Sequence, residues 1–195
     1  MNYLAHVVLS GDNPDVQVGG LLGDFVKGPV AESMPVGITA GIYLHRRIDS
    51  ATDNDPAFRL CRADLPPPWR RFGGILLDVY FDHLLACDWP EFAPGTLDSF
   101  CRDFYRTLNA RYAYLPERAR FFADRAPEVR WLESYGTREA LPLMLDNLGK
   151  RLRRPVPLGS AWPLLESRRD ELRTVFRQLM ASHRGLAETF LRNVP

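Results

Sequence analysis

Apolar residues recur along this chain at the three-and-four spacing of amphipathic helices, and no window shows the strict alternation of a half-buried strand. The pattern predicts a short apolar helix from Asn2 to about Ser10, ended by Gly11-Asp12-Asn13-Pro14, and a second from Val18 to Lys27, closed by Gly28-Pro29. A third runs from Ile38 to about Asp53 and stops before Asp55-Pro56. After the rigid connector Leu65-Pro66-Pro67-Pro68, a long helix is predicted from about Trp69 to Trp89. Leu97 to Tyr114 follows, with Phe100, Phe104, Leu108 and Tyr112 in helical register. Pro116 starts another helix that pauses at Pro127, Thr137 to Leu152 carries Pro142 in its first turns or as a kink, and Trp162 to Phe190 reads as one long terminal helix. The expectation is an all-α, single-domain array of about seven helices without repeats or a linker.

Polar residues inside the apolar stretches change the picture from scaffold to site. His45 and Asp49 stand at i and i+4 on the third helix, with Asp53 one turn on, and Asp78 and Asp82 repeat the relation on the fourth, where His83 follows. The flanking residues Ile75, Leu76, Leu77, Val79, Tyr80, Phe81, Leu84 and Leu85 are apolar all round, which predicts a central helix whose carboxylates need partners. Charged groups are costly to bury unpaired. A divalent metal is the simplest common partner, and His6 and Asp24, also in apolar settings, extend the ligand supply. A mixed His/Asp set suits Mn²⁺, Mg²⁺, Fe or Zn, and spacing does not choose among them. The alternative for any one of these groups is a satisfied core residue or a helix cap.

Composition supports one sizeable core, at 195 residues and 46% hydrophobic. Cys61, Cys87 and Cys101 are odd in number and fall in no C-x-x-C spacing, which argues against a disulfide framework or a structural zinc. No stretch approaches the roughly 20 apolar residues of a bilayer span. The N-terminus lacks a secretory signal pattern. A cytoplasmic protein without membrane association is expected. The net charge of +1 hides an asymmetry: residues 1–100 carry 7 Lys/Arg against 13 Asp/Glu, and residues 101–195 carry 18 against 11. The acidic half, which holds the candidate ligands, suits a cation, and the basic half suits an acidic partner. Lys150-Arg151-Leu152-Arg153-Arg154 is the densest basic run, and without interleaved aromatics or a recognised motif it does not point to nucleic acid. His183, between Ser182 and Arg184, reads as surface. Gly19-Gly20-Leu21-Leu22-Gly23-Asp24 lacks the order of a phosphate loop, so its glycines are expected to let helices approach closely. Arg46 and Arg47 flank His45 with the bidentate donors that favour phosphate oxygens.

Several blocks in the first ninety or so residues together resemble the acyl carrier protein phosphodiesterase family. They are Asn2-Tyr3-Leu4-Ala5-His6, Leu21-Leu22-Gly23-Asp24-Phe25-Val26-Lys27-Gly28, His45-Arg46-Arg47-Ile48-Asp49 with Thr52-Asp53, and Asp82-His83-Leu84-Leu85-Ala86 with Trp89. The resemblance implies an HD-like helical core, distantly related to the HD-type metal phosphohydrolases. It implies a Mn²⁺-dependent hydrolase, with Mg²⁺ or Fe²⁺ as alternatives. The substrate would be holo-acyl carrier protein, cleaved at the phosphodiester joining 4′-phosphopantetheine to serine. On that basis His6, Asp24, His45, Asp82 and His83 are expected to hold metal, and Asp49 or Asp78 to take a proton from water. Arg46 and Arg47 would hold phosphate oxygens, and Lys150, Arg151, Arg153 and Arg154 would dock the acidic carrier. Two other readings remain at this point: a helical metal phosphohydrolase acting on a nucleotide or another small phosphate ester, and a non-catalytic interaction protein.

Overall fold

The computed structural model describes residues 1–194, which fold into ten α-helices joined by short loops and 3₁₀ turns. In chain order these are α1 (Tyr3–Leu9), α2 (Pro14–Leu22), α3 (Val36–Asn54), α4 (Pro56–Ala63), α5 (Gly73–Cys87), α6 (Leu97–Ala110), α7 (Glu117–Arg125), α8 (Leu141–Gly149), α9 (Trp162–Ser167) and α10 (Arg169–Leu191). No strand occurs among the described residues.

The all-helical class follows from the periodicity, but the count exceeds the expected seven, for local reasons. The proline after an Asp or Asn cap begins a helix here. Asp55 accepts from the N–H groups of Ala57 and Phe58, and Pro56 sits at the first position of α4, a helix absent from the expected set. Asn13 and Pro14 do the same for α2, which therefore starts before Val18 and ends at Leu22. Thr96 and Ser99 form a capping box at the start of α6. The predicted Trp69–Trp89 helix opens as a 3₁₀ turn over Trp69–Phe72, and the terminal helix is broken at Arg168 between α9 and α10.

One hydrophobic core draws on all ten helices. Its centre is α5, buried on every side as its sequence predicts, with Leu76, Leu77, Tyr80, Phe81, Leu84 and Leu85 fully enclosed. Each such side chain contributes about 1.5–3 kcal/mol by leaving water. Around α5 lie α1, α4, α8, α10 and the 3₁₀ turn Glu133–Gly136.

Helices α2 and α3 are the closest-packed pair. A Cβ on Gly19 would lie 2.1 Å from the Ile38 carbonyl oxygen, and one on Gly41 would lie 2.2 Å from the Val16 carbonyl oxygen, so the two backbones touch. The glycine-rich segment thus serves helix approach, and it brings α2 against the helix that carries His45. No helix among the described residues is long and apolar enough to cross a membrane.

Candidate metal and phosphate site

Three of the expected residues converge. The Asp49 carboxylate lies between two imidazoles: its Oδ1 is 3.0 Å from His6 Nε2 and its Oδ2 is 3.1 Å from His45 Nε2. The two rings stack, with centroids 3.7 Å apart. One ligating atom from each of the three residues falls within 4.8 Å of the others.

The backbone fixes this geometry from two directions. His45 Nδ1 is 2.7 Å from the Gly20 carbonyl on α2, so it donates there and leaves Nε2 to the cluster. His6 Nε2 is also 3.2 Å from the Met1 carbonyl. A Cβ on Gly23 would sit 2.2 Å from His45 Cγ, so only glycine admits the ring in this position.

The electrostatics separate the partners. Burial, then the neighbouring His45, pushes His6 down to about 3, which favours a neutral imidazole. Burial opposes ionisation of Asp49, but the hydrogen bonds from His45 and His6 win and hold its carboxyl well below the usual range. Asp24 is 4.0 Å from His45 Nε2, and burial raises its pKa. Asp78 pairs with the Met1 ammonium at 2.9 Å; despite burial, Asp78 and then Asp49 keep that ammonium charged.

Both ring nitrogens of His45 face oxygen atoms, and one carboxylate bridges two imidazoles. A positive charge, proton or metal, has to sit at that junction. Two imidazoles, one bidentate carboxylate and a neighbouring second carboxylate fit a divalent cation with mixed N/O ligands, with the Gly20 carbonyl as the outer partner that orients a ligand.

Asp82 and His83 do not join the cluster. Asp82, fully buried, accepts hydrogen bonds from the N–H groups of Leu4 (2.8 Å) and Ala5 (3.1 Å), capping α1 from a distant helix. Burial pushes its carboxyl up to about 7 in spite of those two bonds. His83 points the other way. Its Nδ1 donates to the Tyr135 carbonyl at 2.8 Å, and its Nε2 lies 3.2 Å from Arg169, in a network with Glu166 and Tyr80. The expected ligand roles of both are replaced by structural ones.

The two expected phosphate arginines are engaged elsewhere. Arg46 donates to the carbonyls of Val26 and Gly28, strapping down the segment that follows Asp24. Exposed Arg47 lies over the Phe190 ring on the opposite side of α3. Arg102 and Arg106 are answered locally by Asp98 and Asp103. His183 is buried rather than on the surface, bonded through Nε2 to Thr52 Oγ1 at 2.8 Å.

Of the basic run, Lys150, Arg151, Arg153 and Arg154 are all exposed at and after the C-terminus of α8, where the helix dipole favours cations. Arg151 alone of them also lines a cavity of about 440 Å³ beside the cluster. Asp24 and Asp78 form the cavity's acidic end, and Ile75, Trp131, Met144 and Leu148 belong to its apolar wall. Periodicity could not reveal this cavity, because α5, α8 and the chain around Trp131 are far apart in sequence.

Fold and site together define a helical protein whose His6, His45 and Asp49 cluster lies beside a mixed acidic and apolar cavity, with Asp24 between them. The family model described as acyl carrier protein phosphodiesterase matches residues 1–183. The acyl carrier protein phosphodiesterase of Serratia proteamaculans is 34% identical, over 91% of this chain and 93% of the relative. Those of Klebsiella pneumoniae and Escherichia coli are each 33% identical, over 96% and 95% of this chain and 98% and 100% of the relatives. No solved structure matches the chain. The chain belongs to the acyl carrier protein phosphodiesterase family.

Proposed function

We propose that this protein hydrolyses the phosphodiester between 4′-phosphopantetheine and the serine of holo-acyl carrier protein, releasing apo-carrier protein and 4′-phosphopantetheine. The observation that supports this reading most is the Asp49 carboxylate held between His6 and His45, beside Asp24 at the acidic end of a cavity, in a chain of this family.

His6, His45 and Asp49 are the residues that would hold a divalent ion, with Mn²⁺ the first candidate and Mg²⁺ or Fe²⁺ next. When bound, such an ion lowers the pKa of water and offsets charge on the phosphorane-like transition state. Asp24, beside the cluster and facing the cavity, takes the proton of the attacking water. Asp49 is too strongly hydrogen-bonded for that task, and Asp78 is already matched by the Met1 ammonium. The serine oxygen is the leaving group, since phosphopantetheine keeps its phosphate. Lys150, Arg153 and Arg154 steer the acidic carrier protein toward the cavity mouth.

Incubation of the protein with holo-acyl carrier protein and Mn²⁺, with and without EDTA, followed by mass spectrometry of the carrier, tests this. Loss of the phosphopantetheine mass only without EDTA is the expected result. An unchanged carrier mass with metal bound would overturn the assignment and turn attention to a small phosphate ester.

A further inference from the structure

We infer that the cavity between α5 and α8 holds the 4′-phosphopantetheine arm itself, with Arg151 at its mouth taking the phosphate; this rests on the phosphodiesterase reading.

Four observations carry it. At about 440 Å³ the cavity falls in the range of small-molecule sites, about 300–1,000 Å³. Its lining includes Asp24, 4.0 Å from His45 Nε2 of the cluster, so a diester held between the cluster and Asp24 can extend its substituent into the cavity. Its lining matches the arm's chemistry: a pantetheine chain alternates methylene runs with two amides, and Ile75, Met144 and Leu148 face it together with the amide of Asn147 and the hydroxyl-bearing Ser134. Lastly, Arg151 makes no ion pair among the described residues, whereas Arg46 and Arg47 are occupied away from the cavity. Arg151 also lines the adjoining cavity that carries Tyr3, Arg118 and Phe121, so it stands where a carrier protein outside and its arm inside would meet.

An unpaired guanidinium at a cavity mouth is a phosphate donor in waiting. Arg151 therefore moves from the docking surface into the substrate site and becomes the phosphate-positioning residue.

Calorimetric titration of the full chain with pantetheine and with 4′-phosphopantetheine tests this, alongside KM for holo-carrier protein. Wild type is expected to bind both ligands, the phosphorylated one more tightly. Met144→Trp, which fills the cavity, should weaken both at least about tenfold and raise KM. Arg151→Ala should remove only the advantage of the phosphorylated ligand, about tenfold, and Arg151→Lys should restore part of it. Should Met144→Trp fail to fold, Leu143→Trp, at an exposed position on the cavity rim, gives the same readout. Unchanged affinity for both ligands in the tryptophan variants, or equal loss of both in Arg151→Ala, overturns the inference while leaving the phosphodiesterase reading intact. Arm binding that the tryptophan variants abolish, in a protein that never cleaves holo-carrier protein, overturns the phosphodiesterase reading and keeps the cavity as the arm's site.

Discussion

Two helices of this protein carry histidine and aspartate in apolar surroundings and use them differently. On α3, His45 and Asp49 turn toward each other and His6. On α5, Asp82 and His83 turn toward backbone: one holds the N–H groups of α1, the other the carbonyl of Tyr135. Both pairs are partnered, so neither violates the rule that buried charge must be answered. The difference lies in what answers it. Backbone partners already match the groups on α5, whereas on α3 the partner of one carboxylate is a pair of imidazoles. A His/Asp run whose members face one another offers a candidate cation site, and one whose members face the main chain is a structural lock.

The comparison breaks most decisively at Asp49. Asp49→Asn should cost activity on holo-carrier protein well beyond the roughly 10–100-fold that follows loss of an outer-shell partner, and should abolish Mn²⁺ binding seen by electron paramagnetic resonance. Asp82→Ala is expected to leave Mn²⁺ bound and instead lower stability by about 2–4 kcal/mol, because two buried N–H groups lose their acceptor and α1 loses a cap; urea unfolding reads this. Equal loss of metal in both variants would erase the distinction. Gly23→Ala sharpens it: the added methyl displaces His45, and Mn²⁺ affinity should fall about 10–100-fold with the fold retained.

A smaller effect concerns pH. Thr52 Oγ1 donates to the Ile48 carbonyl, so it accepts from His183 Nε2, and His183 Nδ1 is buried without a partner. Burial accordingly pushes His183 down to about 4. The unfolded chain, with an ordinary histidine near 6.5, binds the proton first. Stability should therefore be full above about 6.5 and fall as pH drops toward 4, with His6 adding to the fall. His183→Gln should flatten that slope in thermal melts. The smallest effect belongs to Arg47→Ala, expected to cost about 0.5–1 kcal/mol through the lost contact with Phe190 and to leave hydrolysis unchanged. A large drop in turnover would return Arg47 to the site.

Much of this was legible in the residues. The apolar periodicity marks the helical class and the central place of α5, and the i, i+4 pairing marks His45 with Asp49. What escaped was either local grammar or distance. Pro14 and Pro56 read as breaks, yet after Asn13 and Asp55 they are starts. His183 lies between two polar neighbours on an amphipathic helix, but its own angular position faces α3. The capping of α1 by Asp82 joins residues 78 apart, and no periodicity reports it. Arg46 looks like a phosphate ligand beside His45 because sequence shows adjacency, not the direction in which a long side chain leaves the helix.

The touching backbones of α2 and α3 also bear on which parts of the molecule can open. Gly19 and Gly41 join the two helices without intervening side chains, so at this contact neither can slide or tilt against the other without collision. Val129 and Leu143 stand exposed at the rim of the cavity. Amide exchange should accordingly be slowest along α2 and the first half of α3, and fastest along α8 and the chain leading to Tyr135.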